Sequence, residues 1–116
     1  MKNAEKYAQV IADYRSAYPD PLVLLRGAKL KVSDKASPWP GWLWSEDKNG
    51  KKGWIPTSFV DRRGETGVMN RDYDATELSV KKGEQLMVLE EEAGWAWVDG
   101  PDGRRGWVPK DNIEME

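Results

Sequence analysis

An all-β protein made of two copies of one small unit is what the 116-residue sequence predicts. Three observations carry that prediction. The sixteen residues GWLWSEDKNGKKGWIP (41–56) return as GWAWVDGPDGRRGWVP (94–109), without a gap and at an offset of 53. Turn-forming residues sit between the tryptophan-bearing runs of both phrases. No window of ten or more residues holds a convincing helical period of apolar side chains.

The repeat extends upstream of the shared phrase. LLRGAKLKV (24–32) matches VKKGEQLMV (80–88) at an offset of 56, and DYRS (13–16) matches DYDA (72–75) at 59. The offset falls by three twice, so the copies differ by two short loop deletions, and two units fill the chain.

Taken in order, residues 2–9 are the one stretch with helical character, read as a short helix or a frayed terminus. Apolar and polar residues alternate in 28–32 and 84–89, which predicts a half-buried strand ahead of each hairpin. Asn49-Gly50 and Gly100-Pro101-Asp102-Gly103 predict the hairpin turns. Past a proline-led turn, residues 59–61 and 112–114 supply a last short strand per unit. Side chains two apart on a strand share a face. Leu43, Ser45, Ala96 and Val98 are therefore assigned to the core, and Trp42, Trp44, Trp95 and Trp97 to the opposite face. Trp54 and Trp107 join them across each hairpin. An aromatic face of this size exceeds what a small sheet needs for its own packing and marks an interaction surface.

Composition sets bounds on the chemistry. With 39% hydrophobic and 33% charged residues the chain can build a core, and it holds no apolar run long enough for a membrane span or signal peptide, so a cytoplasmic location is expected. It has no cysteine and no histidine, which removes disulfides, thiolate zinc sites, cysteine nucleophiles and the usual general base. No convergent pair of carboxylates is evident, so a non-catalytic protein without cofactor or metal is expected. Residues 1–63 carry 12 basic and 7 acidic side chains (+5), and residues 64–116 carry 6 and 13 (−7). That asymmetry points to contact between the halves, or to different partners for each, and not to nucleic acid, which wants one continuous basic face.

ADY, PLVLLRG, GWLW and GWIPTSFV in the first copy, and RDY, ELSVKKG, GWAW and GWVPKDNI in the second, resemble the Src homology 3 (SH3) domain in tandem. The resemblance covers about residues 8–61 and 67–114. It implies two five-stranded, partly open SH3-like barrels, one in residues 1–63 and the other in 64–116. It also implies a shallow aromatic groove for polyproline II peptides, whose fixed shape lowers the entropy cost of binding. The peptide-binding residues it implies are Tyr14, Trp42, Pro56 and Phe59 in the first domain, and Tyr73, Trp95 and Pro109 in the second; Trp54 joins the first set through its place on the tryptophan face.

The departures weaken both grooves. The family's other groove tyrosine is replaced by Ala12 and by Arg71, and the closing aromatic, Phe59, becomes Asn112 in the second copy. The acid that reads a basic ligand residue is Pro21 in the first copy and Glu77 in the second. Asp20 and Asp34 remain as candidates to attract a ligand arginine, and Glu90-Glu91-Glu92 beside Trp95 either reads a basic ligand or is a solvated loop. The sequence thus implies a protein-interaction module, a monomer or weak dimer, that binds a proline-rich or basic peptide or partner segment, mainly through the first domain, and neither nucleic acid nor membrane. The alternative is a structural or regulatory protein whose aromatic faces are consumed in domain–domain or homodimer contacts. The stretch 61–67 is read as a linker too short for long-range freedom.

Overall fold

The computed structural model describes residues 5–16, 20–37 and 39–116. Among the described residues twelve strands follow in chain order: β1 (Lys6–Val10), β2 (Val23–Leu24), β3 (Lys29–Ser33), β4 (Trp42–Glu46), β5 (Lys52–Pro56), β6 (Val60–Arg63), β7 (Thr66–Met69), β8 (Tyr73–Asp74), β9 (Gln85–Glu92), β10 (Trp95–Asp99), β11 (Arg105–Pro109) and β12 (Ile113–Met115). Single 3₁₀ turns, Thr57–Phe59 and Lys110–Asn112, follow the two prolines that end β5 and β11. Two five-stranded sheets result, ordered β5-β4-β3-β7-β6 and β11-β10-β9-β1-β12. Neither closes on itself, so the barrels are open.

The compact units do not coincide with the sequence repeats. One unit comprises Asp20–Ala75; the other combines Met1–Pro19 with Thr76–Glu116. The cause lies in residues 61–67, which form a hairpin and not a linker. Arg63 pairs with Thr66 and Val60 with Met69, so β6 turns directly into β7 through the two residues Gly64 and Glu65. Gly64 takes the left-handed φ of 61°, the conformation that a two-residue hairpin turn with glycine first demands. Strand β7, the opening strand of the second repeat, thereby completes the sheet of the first, pairing with β3 as well as β6. The opening strand of the first repeat, β1, takes the equivalent place in the other sheet, between β9 and β12.

The loop that follows each opening strand is exchanged with it. Tyr73 and Asp74 in β8 pair with Leu24 and Val23 in β2, and Tyr14 pairs with Val80 through backbone hydrogen bonds of 2.9 and 2.8 Å. Asp20–Ala75 is therefore a circularly permuted copy of the fold, inserted into the long first loop of the other copy. Its two ends are held together, the Ala75 N–H donating to the Leu22 carbonyl at 2.9 Å, and adjacent ends are what an inserted domain needs.

Closing β7 onto β6 through two residues, instead of bringing up β1 from some fifty residues away, saves roughly 3 kcal/mol of loop-closure entropy. The side chains also choose the partner. Gly67, buried in β7, occupies the position that Ala8 holds in β1. A Cβ on Gly67 would fall 2.5 Å from Val60 Cγ1, and a β-branched valine has little rotamer freedom with which to retreat. Ala8 in that slot would meet the same obstruction.

The cores match position by position. Leu22, Leu24, Leu30, Val32, Leu43, Ile55 and Val60 correspond to Leu78, Val80, Leu86, Val88, Ala96, Val108 and Ile113, all buried. The alternation expected for the hairpins holds, with Leu43, Ser45, Ala96 and Val98 inward. Ser45 is the exception in kind, a buried hydroxyl that donates to the Leu43 carbonyl at 3.3 Å. The repeated Gly106 has a packing reason, since a Cβ there would lie 2.7 Å from the Leu78 nitrogen.

Three further expectations change. Residues 6–10 form strand and not helix, because Ala8 and Val10 alternate inward and both edges of the strand find partners; residues 2–4 lie outside the described residues. Glu90 to Glu92 belong to β9 and not to a loop, since Ala93 (φ 49°) and Gly94 (φ 87°) make a two-residue turn into β10. The charge division shrinks: Asp20–Ala75 carries 10 basic and 8 acidic residues (+2), and the other unit 8 and 12 (−4).

Two outcomes follow from this topology. Residues 20–75 produced alone will fold, giving a dispersed amide spectrum, a cooperative urea transition and an NOE between the Phe59 and Tyr73 rings; an unstructured fragment refutes the exchange. Gly67→Ala will destabilise the same fragment by about 1–3 kcal/mol through overpacking against Val60, measured as a lower urea midpoint at unchanged slope.

Candidate functional site

Each candidate groove begins at a hairpin tryptophan. Trp42 and Trp95 open β4 and β10 and stand directly opposite Pro56 and Pro109 in the ladder. The 3₁₀ turn that follows is tied back to the residue before each tryptophan: Thr57 N–H donates to the Gly41 carbonyl at 2.8 Å and Lys110 N–H to the Gly94 carbonyl at 2.9 Å. These bonds fix Phe59 and Asn112 relative to the tryptophans.

The tyrosines are not where the linear repeat puts them. Tyr14, expected beside Trp42, Pro56 and Phe59, packs edge-on against Trp95, with centroids 5.7 Å apart at 84°. Tyr73, expected beside Trp95 and Pro109, packs against Phe59 at 5.5 Å and 72°. Strand exchange carries the tyrosine-bearing segments with it, so each groove combines a tryptophan and proline from one repeat with a tyrosine from the other.

In the Asp20–Ala75 unit, Trp42 is half-buried and Pro56 buried. Phe59 is only 2% exposed. The Arg71 guanidinium lies 4.0 Å from its ring centroid, a cation–π cover supplied by the residue that replaces the family's groove tyrosine. The Tyr73 hydroxyl lies 3.5 Å from the Trp54 carbonyl. Trp54 itself faces Trp44 across the hairpin, with centroids 5.0 Å apart, so it belongs to the tryptophan face as expected. Asp20 is ion-paired with Lys51 at 2.8 Å and Asp34 with Arg62 at 2.9 Å.

The other unit is more closed. Trp95 is 9% exposed and Trp107 4%. The Tyr14 hydroxyl donates to the Glu77 carboxylate at 2.5 Å, so the acid expected to read a ligand is held by the groove's own tyrosine. Asn112 turns its amide onto the backbone, donating to the Ala12 and Asp13 carbonyls at 3.3 and 3.0 Å. Glu91 meets Lys110 at 2.8 Å and Lys6 at 3.8 Å. The hydrogen bond from Lys110 holds the Glu91 carboxyl below the ordinary range, against the opposing effect of desolvation.

Trp39 and Lys35 escaped the sequence reading, and Arg71 entered it only as the replacement of a groove tyrosine. Trp39 is 52% exposed in the loop between β3 and β4, where the first repeat is longer than the second. A tryptophan in a segment that only one copy possesses cannot be required by the shared fold, and that comparison was the available signal. Lys35, in the same loop, and Arg71 were legible as cations but not as partners of aromatic rings.

Among the described residues no group of three or more His, Cys, Asp or Glu side chains is placed to hold a metal ion, and no helix is long and apolar enough to cross a membrane. The sheet order, the paired hairpin tryptophans and prolines, and the 3₁₀ turn after each proline agree with a comparison against known families. The family model described as variant SH3 domain matches twice, over residues 7–61 and 66–116. Those two matches span most of the chain, which belongs to the variant SH3 domain family and carries two of its domains, modules of protein interaction.

Proposed function

We propose that the protein is a non-catalytic interaction module that binds an extended segment of a partner protein across Trp42 and Pro56 of the Asp20–Ala75 unit. The observation that carries this is the difference in exposure between equivalent tryptophans: Trp42 is half-buried, whereas Trp95 is 9% exposed. A large aromatic side chain that the core does not consume is the kind of anchor that dominates binding energy.

The neighbours of Trp42 refine the ligand. Trp39 and Pro40, both exposed, add apolar surface from the preceding loop. Phe59 is covered, so that end of the site is formed by the exposed Arg71. The best fit is a short apolar, proline-containing segment.

Burial of Trp95 and Trp107 favours the second reading for the other unit. There the aromatic residues serve packing, and that unit's role is structural.

Peptides selected from a random library against the intact chain supply the test. Trp42→Ala will leave the chain folded and weaken their binding by at least about 2 kcal/mol, read by calorimetry. Trp95→Ala will instead lower stability by about 3–5 kcal/mol, as for a buried aromatic. Loss of folding in Trp42→Ala, or undiminished binding by it, overturns the proposal.

A further inference from the structure

Three adjacent strands recur in both sheets, β3-β7-β6 in one and β9-β1-β12 in the other. Their outward side chains form the same grid of two rows. In Asp20–Ala75 the rows are Lys31–Thr66–Arg63 and Lys29–Val68–Asp61. In the other unit they are Met87–Tyr7–Glu116 and Gln85–Gln9–Glu114, Glu116 being placed by its N–H on the Tyr7 carbonyl at 2.9 Å. Met87 is half-buried and the other eleven are exposed. One grid thus carries three basic side chains and one acidic (+2), and the other carries two acidic side chains and no basic one (−2). A shared fold does not account for this difference. The hairpin strands do not offset it, since Glu46 and Lys52 beside the first grid stand where Asp99 and Arg105 stand beside the second.

Neither grid is neutralised internally. Among the described residues no ion pair involves Lys29, Lys31, Arg63, Glu114 or Glu116. The amides of Gln85 and Asn70 donate to Glu116 at 2.8 Å and to Asp61 at 3.2 Å, which orients those carboxylates and leaves their charge. Glu5 adds a carboxylate to the second grid, accepting the Tyr7 hydroxyl at 2.5 Å. That bond, with the charges of Glu5 and Glu116, raises the pKa of the hydroxyl. Each grid also holds apolar surface: Val68, 41% exposed, in one, and Tyr7, 37% exposed, in the other, with Leu89 at the bulge of β9 beside it.

We propose that the two grids dock on each other between chains, so that the partner at this surface is a second copy of the protein. No groove residue takes part, and the inference stands apart from the reading of Trp42. Sheets of like twist stack face to face at about 30°, and equivalent strands twist alike. The lysine stems then lie along apolar side chains while their ammonium groups reach the opposing carboxylates. Three strands about 4.8 Å apart and five residues long present roughly 250 Å². A stable interface takes about 800 Å² per partner, so this contact is weak and reversible. It is also head-to-tail, since each chain in a pair keeps one unused grid, and growth continues past the dimer unless a ring closes.

Sedimentation velocity of the intact chain, followed up to millimolar concentration at low salt, supplies the test. The weight-average mass will rise with concentration and return to that of the monomer at about 0.5 M salt, where screening is nearly complete. Lys29→Glu with Lys31→Glu, or Glu114→Lys with Glu116→Lys, will each weaken self-association at least about tenfold by setting like charges face to face. An equimolar mixture of these two doubly substituted chains will associate again, because each supplies the grid that the other has lost. Val68→Thr, which keeps charge and strand propensity, will weaken association about two- to fivefold. Lys81→Glu with Lys82→Glu, outside both grids, makes the same change in net charge as the first double variant and will leave association unchanged. A mixture that fails to associate, or an equal loss in the Lys81 and Lys82 control, overturns the proposal. A chain that stays monomeric at every concentration overturns it too, and leaves the grids to a different protein.

Discussion

The turn at Gly64-Glu65 determines how the rest of the chain is used. Once β6 folds back on itself through two residues, the place beside it is taken by β7, and β1 has to find its position in the other sheet. In an open five-stranded sheet the first and last strands are neighbours, as β1 and β12 show. A tandem repeat with almost no spacing thus brings the last strand of one copy and the first strand of the next into hairpin geometry. Exchange is the local solution, and local contacts form at the lowest entropic cost. Gly67 makes it the specific one, because the slot against Val60 has no room for a methyl group.

The exchange then decides what each groove contains. Arg71 and Tyr73 reach Phe59 because they follow β7 into the sheet of the first repeat. Tyr14 reaches Trp95 and Glu77 because it follows β1. One groove acquires a guanidinium over its closing aromatic, and the other acquires a tyrosine that engages its acid. Neither outcome belongs to a single repeat, so dividing the chain at residues 63 and 64 takes apart both sites.

Most of the secondary structure was legible in the sequence because it depends on local patterns. The inward Leu43, Ser45, Ala96 and Val98 follow from a period of two, and the hairpin turns follow from glycine placement. The tryptophan faces, with Trp44 on Trp54 and Trp97 on Trp107, follow from the same alternation. The pairing of β7 was not legible in this way. A repeat announces which segments are equivalent, but equivalence is symmetric: β1 and β7 both fit the opening position, and pattern alone assigns each to its own copy. The deciding information lay in a short spacer and one glycine, features that read as a linker until the ladder of Val60, Asp61, Arg62 and Arg63 with Met69, Val68, Gly67 and Thr66 is seen. Pattern alone therefore sets Tyr14 and Tyr73 beside the tryptophans of their own repeats, whereas Tyr14 packs on Trp95 and Tyr73 on Phe59.

Two copies of one sheet have therefore resolved the same surplus of aromatic surface in different ways. In the unit that contains the chain ends, Trp95 and Trp107 are buried, and Glu77 and Glu91 are engaged by Tyr14, Lys6 and Lys110. In Asp20–Ala75 the tryptophans stay partly accessible, and two of them are covered by a lysine from a flanking loop. A buried indole cannot be reached without unfolding, whereas the inserted copy leaves Trp42, Trp44 and Trp54 half-buried. The copy that contains the chain ends buries two of its tryptophans, Trp95 and Trp107, in a sheet whose opening strand is more than seventy residues away in the chain from the next strand beside it.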